Sequence, residues 1–513
     1  MNLLRFTTTC TMSLVVFFCY FLSATPILAN EILPIGVKKA LHSSKIPESA
    51  LGFNVISIGK LHPQPNQHSW NAQSPMNPAS TMKLLTTVAA LDILGPQYRW
   101  KTNFYTTSLI EQGVLNGNLI IQGFGDPKLV PEQLSVISQN LKQLDLQEIQ
   151  GNLILDRSVY ASSIKQSAPQ DGESSRTYNV IPDPLLYAFQ TLSFRIFNNN
   201  GQFDVTYTPR LAGLRVINQI QEIKGACGDW TKNLKIEIRK INDEEWNAIF
   251  VGKLSINCPD IAWNSVSIDS NNFLKQGILA SFEDSGIVWK THPQIIESEV
   301  PSNAKLLLSH QGTSLTDAVK DINKYSNNVM ARQVLLTIGL EKGNRPTSTI
   351  DSIRIVKDWL RRSKLNFPEL VVENGSGLSN IERISPQSMT SLLNFAVSTK
   401  NNEIFINSLP IAGVDGTMKN RLLDRLKKLW SANSPETIFT PDLSLPNGLQ
   451  KTGAYMKTGT LQTVRAVSGY VVSKTGKVYA VSSMVNHQNA STGGTAINDA
   501  LLHWVLDDCR SDY

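Results

Sequence analysis

Cysteine and histidine are scarce in this chain: five cysteines and seven histidines among 513 residues. The sequence contains no C-x-x-C and no H-E-x-x-H, and its histidines are scattered. A structural or catalytic zinc site therefore has no support, and no cofactor motif stands in its place. An excess of one charge is also missing. The net charge is only +6, with lysine and arginine dispersed along the chain, which argues against nucleic-acid binding. There is no low-complexity tract and no internal repeat. Beyond the first thirty residues no stretch is long and apolar enough to cross a bilayer. What remains is the composition of a globular protein, with length for about two to four domains.

The N-terminus stands apart. Arg5 is the only charge before Glu31, and an apolar run from Ser13 to Leu22 follows it. Pro26 and Ile27-Leu28-Ala29 then place a small residue where signal peptidase requires one. Residues 1–29 read as a signal peptide cleaved after Ala29, which predicts an exported, periplasmic or otherwise extracytoplasmic protein with no transmembrane segment in the mature chain. The alternative is an uncleaved anchor, for which the run is short. Cys10 and Cys19 leave with the signal. Export permits disulfides, and Cys227 and Cys258, flanking a strand-rich segment, are the expected pair, with Cys509 left free. Three reduced, buried thiols are the alternative.

The texture of the chain changes twice. Residues 51–58 read as a strand buried on both faces, since Leu51, Phe53 and Val55 alternate and Ile56 and Ile58 add apolar residues opposite. An apolar helix over 80–94 ends at Gly95-Pro96. From 97 to 300 short strands dominate, at 114–122, 151–156, 203–207, 234–239 and 249–256, with helices at 131–142 and 270–283. Helices return at 314–323, 327–340, 347–363, 385–398 and 416–428. Two alternating strands, 464–473 and 478–485, and a helix at 495–507 close the chain. This order predicts one α/β domain in two pieces, 30–96 and 301–513, split by a β-rich insertion over 97–300. A nested subdomain is expected at about 186–265. Surface loops tolerate insertions of this size.

The chemistry begins at Ser80-Thr81-Met82-Lys83, an S-x-x-K at a helix start. Positions i and i+3 share one helix face, about 5–6 Å apart at Cβ, so Lys83 can reach the Ser80 hydroxyl and take its proton. Burial and a neighbouring cation would keep the lysine neutral part of the time. Alone the pattern is weak. Two further elements strengthen it: Ser326-Asn327-Asn328 fits S-x-N, and Lys457-Thr458-Gly459-Thr460 fits K-T-G followed by a hydroxyl residue. Ser326 can relay a proton between Lys83 and the leaving amine, and Asn328 can hold Lys83 and substrate backbone. Lys457 and Thr458 can hold a terminal carboxylate, while Gly459 lets substrate lie close to the strand.

K-T-G occurs three times, at 451–453, 457–459 and 474–476. The third lies between two alternating runs and is a hairpin turn. The first follows Pro446-Asn447-Gly448 and reads as a strand entrance. The second, just ahead of the closing strands, is assigned to substrate binding.

S-x-x-K, S-x-N and K-T-G in this order are the motif set of penicillin-binding proteins and serine β-lactamases. The chain more narrowly resembles the peptidase S13 family, the class C low-molecular-mass penicillin-binding proteins that act as D-alanyl-D-alanine carboxypeptidases and endopeptidases. Gly123-Phe-Gly-Asp126-Pro127 is similar to the family's G-x-G-D-P, and Gly151-Asn-Leu-Ile-Leu-Asp156 to its G-x-L-x-x-D. Asn374-Gly375-Ser376-Gly377-Leu378-Ser379 is similar to its D-G-S-G-L-S, with asparagine first, and Gly413-Val414-Asp415-Gly416-Thr417-Met418 to its G-V-D-G-T-L.

The resemblance implies a penicillin-binding transpeptidase-like fold, also that of serine β-lactamases, with domains inserted between Ser80 and Ser326. Compact β-lactamases bring those motifs much closer in sequence. It also implies an acyl-enzyme on Ser80, peptidoglycan stem peptides as substrate, β-lactams as inhibitors, and an oxyanion held by the N–H groups of Ser80 and Thr460. No metal or organic cofactor is called for. The glycine-rich loop is either a tight turn or, through Leu378, part of the pocket; for 413–418 a structural role is favoured. The remaining alternatives are a β-lactamase or esterase on this fold, and a catalytically inactive wall-binding protein.

Overall fold

In the computed structural model, residues 33–59, 67–165, 172–173, 176–432, 447–449 and 451–510 are described. The proposed signal peptide lies outside them. One antiparallel sheet takes strands from both ends of the chain, in the order Gly453–Leu461, Val464–Val472, Val478–Asn486, Leu51–Ile58, Gln67–Trp70. Period-two alternation divides its side chains between two layers. Ala480 and Met484 face a helical core with the buried helix Lys83–Ile93, while Val481 and Val485 face a second core with the helices Ile35–Ser43 and Ala490–Leu506. Residues 51–58 thus form a strand walled on both sides, as their apolar run requires. The helix Lys83–Ile93 is buried along nearly its whole length, so it is apolar all round rather than amphipathic.

The segment between these halves builds its own sheets and its own core. A five-stranded sheet runs Ile295–Glu297, Leu153–Asp156, Leu119–Gly123, Arg99–Thr106, Lys305–Ser314. Lys305–Ser314 pairs antiparallel with Arg99–Thr106, so the return to the helical layer falls at Ser314 and not at 300. Ser314 N-caps the helix Leu315–Tyr325 by accepting from the Asp317 N–H. Two three-stranded sheets lie between Leu192 and Ser265, inside the span expected for the nested unit.

Other expectations shift locally. Residues 114–122 make two strands, Val114–Leu115 and Leu119–Gly123, separated by Asn116-Gly117-Asn118, which favour a turn. Over 416–428 there is a single 3-10 turn, Gly416–Met418, and then a helix from Leu423, because Gly416 and Leu422 both sit at positive φ and interrupt the helical path. Among the described residues no helix is long and apolar enough to cross a membrane.

Cys227 and Cys258 form a disulfide packed on the insertion's core, while Cys509 is unbridged and half-buried. The bridge closes a loop of sequence separation 31, for which the chain-entropy account gives roughly 3–4 kcal/mol. A double Cys→Ser change is expected to lower the melting temperature by several degrees while β-lactam acylation of the folded fraction stays normal. Lost acylation in protein that is still folded would show that the nested unit supports the chemistry.

Candidate active site

The three motifs, far apart in sequence, converge at one end of the central sheet. Residues Ala79–Met82 form a 3-10 turn that runs into the helix Lys83–Ile93. Ala79, just before Ser80, has φ 45°, a conformation that costs a non-glycine residue on the order of 1 kcal/mol. It is held there because Asn77 Oδ1 accepts from the Ala79 N–H at 2.9 Å. Asn77 is itself fixed by Asn486 Oδ1, which accepts its backbone N–H at 2.7 Å, and by the Ser379 carbonyl, which accepts from its Nδ2 at 2.8 Å.

Lys83 is fully buried. Its Nζ lies 2.9 Å from Ser80 Oγ and 2.6 Å from Asn328 Oδ1, and it donates to the Ser376 carbonyl. Burial, and then the nearby Lys457 ammonium, hold the Lys83 amine well below the usual lysine range, while Glu382 pulls the other way. The contacts suit a neutral amine. Asn328 Oδ1 and the Ser376 carbonyl can only accept, so they take the two N–H bonds. The lone pair is left for the Ser80 hydroxyl.

S-x-N occupies a helix junction. Ser326 ends the helix Leu315–Tyr325 in the left-handed conformation, φ 60°, and Asn327 caps the next helix, Asn328–Lys342, by accepting from the Met330 N–H. The left-handed turn lets two helices present Ser326 and Asn328 to the same space. Ser326 Oγ accepts from Lys457 Nζ at 2.8 Å, so the hydroxyl is held by the K-T-G lysine, whereas a relay from Lys83 would place it beside that amine.

K-T-G at 457–459 lies inside the edge strand Gly453–Leu461, just ahead of the two closing strands. Lys457 is fully buried, and burial pushes its amine down to about 7. It also donates to the Thr458 carbonyl at 2.8 Å. Strand alternation aims the backbone at this edge. The Ala454 carbonyl and Met456 N–H bond outward, to Ala412 and Pro410. By the same parity the N–H groups of Thr458 and Thr460 point away from the sheet. A Cβ on Gly459 would come within 2.5 Å of the Pro78 carbonyl, so glycine is required for the strand to approach the Ser80 turn. Of the other two copies, 451–453 enters this strand and 474–476 forms the turn between the two closing strands.

Two loops complete the site. Gly375 and Gly377 have φ 72° and 80°, and a Cβ on Gly377 would lie 1.9 Å from the Ala79 carbonyl. The loop is thus a tight turn against the Ser80 segment. Leu378 is half-buried within it, and its carbonyl accepts from Asn374 Nδ2 at 2.8 Å. Asn374 Oδ1 accepts from the Ser376 N–H and hydroxyl, so asparagine folds this turn in the first position. In the second loop Asp415 binds Lys324 through both carboxylate oxygens, at 2.8 and 2.6 Å, which anchors the residue two before Ser326. Thr417 Oγ1 accepts from Thr458 Oγ1 at 2.8 Å. Sequence reasoning did not single out Asn77, Ser376 or Thr417 as site residues. The glycine pattern marks the first loop as special, but which of its carbonyls meets Lys83 is a tertiary matter.

The matched family settles the affiliation. Residues 35–431 match the D-Ala-D-Ala carboxypeptidase 3 (S13) family. This chain belongs to that family. It is a serine-type carboxypeptidase of the S13 group, and the Lys457 strand, beyond the matched span, completes the site in space. The chain is 24% identical to D-alanyl-D-alanine carboxypeptidase DacB of Haemophilus influenzae, over 86% of this chain and 87% of that one. It is also 24% identical to a D-alanyl-D-alanine carboxypeptidase of an Actinomadura species, over 83% and 76%. Among solved structures, penicillin binding protein 4 from H. influenzae superposes with a TM-score of 0.68 at 22% identity, covering 93% of this chain and all of that one. The same protein complexed with a novel β-lactam gives 0.65. The transpeptidase-like fold with its large insertion is therefore shared.

Proposed function

We propose that this S13 enzyme cleaves peptidoglycan stem peptides ending in D-alanyl-D-alanine through an acyl-enzyme on Ser80, and that β-lactams acylate the same residue. The observation that carries this reading is the Lys83 amine, buried, depressed and 2.9 Å from Ser80 Oγ. Lys83 takes the hydroxyl proton as Ser80 attacks the carbonyl of the penultimate D-alanine. The N–H groups of Ser80 and Thr460 hold the oxyanion. Removing one such donor typically costs ~10²–10³ in rate.

Lys457, hydrogen-bonded to Ser326 Oγ, polarises that hydroxyl for proton delivery to the leaving amine. With the Thr458 and Thr460 hydroxyls it attracts the substrate's terminal carboxylate. Water then releases the acyl group. D-alanine leaves in the carboxypeptidase reaction, and a cross-linked neighbour leaves in the endopeptidase reaction. Such a substrate, the names of the relatives and the N-terminal pattern together support export of the enzyme to an extracytoplasmic space by the signal at 1–29.

Incubating the protein with a D-Ala-D-Ala-ended peptide and with a cross-linked stem-peptide dimer, followed by product identification, tests the reading. Release of D-alanine or of monomers supports it; turnover of β-lactams alone would replace it with a β-lactamase.

The two lysines set the expected pH dependence. Lys83 works as the neutral amine, so acylation rises as pH climbs through its depressed value. Lys457 works as the cation, so kcat/KM falls as pH passes about 7, where burial places its amine. A bell with its alkaline limb near neutrality is expected from the pair. Lys457→Arg, which keeps the charge, should move only the alkaline limb upward. A profile flat through the neutral range would contradict these assignments.

A further inference from the structure

We propose that Glu382 is a positioning residue for the general base, acting through the turn that supplies the Ser376 carbonyl to Lys83. The proposal rests on the functional reading above, because it concerns how Lys83 is aimed at Ser80. Glu382 is fully buried, an unfavourable place for a carboxyl group without a specific task. Its Oε1 accepts three consecutive backbone N–H groups, those of Glu373, Asn374 and Gly375, at 3.0, 3.1 and 3.1 Å. Its own backbone N–H donates to Ser379 Oγ. The carboxyl thereby draws the two ends of the 373–382 loop together from inside.

The consequence lies one residue further on. The Gly375 carbonyl accepts from Thr86 Oγ1 at 2.6 Å, and the Ser376 carbonyl accepts from Lys83 Nζ. Both contacts land on the helix that carries the base. Among the described residues the Ser376 carbonyl and Asn328 Oδ1 are the two acceptors that take the N–H bonds of the neutral Lys83 amine. A turn that relaxed would let the lone pair swing away from Ser80. Burial pushes the Glu382 carboxyl above its ordinary range and the three N–H donors oppose that push, while Oε2 has no hydrogen-bond partner among the described residues. The oxygen that acts is therefore Oε1, and it acts as an acceptor of backbone N–H groups.

Two substitutions separate this role from a simple contribution to folding. Glu382→Gln keeps the side-chain length and one acceptor oxygen, so the three N–H bonds survive. Glu382→Asp keeps the carboxylate but withdraws it by one methylene. In stopped-flow acylation by a chromogenic β-lactam, the binding constant and the acylation rate are read separately. The Asp variant is expected to bind the β-lactam normally but to acylate about tenfold to a hundredfold more slowly, the range for a misplaced catalytic group. The Gln variant is expected to acylate close to the wild-type rate. A folded Asp variant with the wild-type acylation rate would overturn the proposal. So would a folded Gln variant with slowed acylation, whatever the Asp variant does. The wild-type protein, run alongside, tests the functional reading independently: if it forms no acyl-enzyme, that reading fails rather than the role of Glu382.

Discussion

Ser80→Ala is expected to abolish acyl-enzyme formation, with turnover of a D-Ala-D-Ala peptide falling by roughly 10⁶-fold, as for other enzymes that lose the nucleophile of a cooperating set. Ser80 is partly exposed at the mouth of the site, with its hydroxyl on Lys83, the strained Ala79 behind it and the free strand edge in front. Among the described residues no second serine has this combination. Ser326 lies in the same pocket, but its hydroxyl is held by Lys457, which serves better as a cation than as a base for nucleophilic attack. Peptide mapping after β-lactam labelling should find the adduct on the peptide containing Ser80. An adduct on Ser326 would invert the roles of the two lysines. The fold should survive the change, because the hydroxyl contributes one contact to a turn held mainly by Asn77 and the Gly377 loop.

The second large effect concerns Lys457. Lys457→Ala removes a buried charge that holds Ser326 and that, in the proposed function, faces the substrate carboxylate. Loss of such a charge-assisted contact in a closed site costs roughly 2–5 kcal/mol, or tens to thousands of fold in kcat/KM. The matching changes at Lys451 and Lys474 should leave kcat/KM near wild type. Lys451 is exposed, and its carbonyl accepts from the Tyr455 hydroxyl at 3.2 Å. Lys474 sits in the hairpin turn and pairs with Asp507 at 3.1 Å. A damaging Lys451 change paired with a silent Lys457 change would mean that the strand presents its other end to substrate.

Much of the candidate site could be read along the chain because its geometry is partly local. Ser80 and Lys83 are neighbours on one helical turn, and three residues of spacing suffice to bring their side chains together. The alternating apolar residues of 464–473 and 478–485 commit those segments to a sheet, and their hairpin identifies one K-T-G as a turn. The apolar signal on both faces of 51–58 announces a strand covered on two sides. These readings depend on periodicity and on short contour distances, which a sequence displays directly.

Tertiary structure decided the rest. Whether Ser326 would answer to Lys83 or to Lys457 depends on how far an edge strand slides past a helix junction, and no spacing encodes that. The assignment of Lys305–Ser314 to the insertion's sheet depends on a partner strand two hundred residues earlier. Glu382 and Asn77 carry no motif of their own and matter because the fold delivers backbone groups to them. The sequence determined which groups could do the chemistry. The packing of two loops and one strand edge determined where their protons and lone pairs point, because hydrogen-bond direction is a property of assembled surfaces and not of residue order.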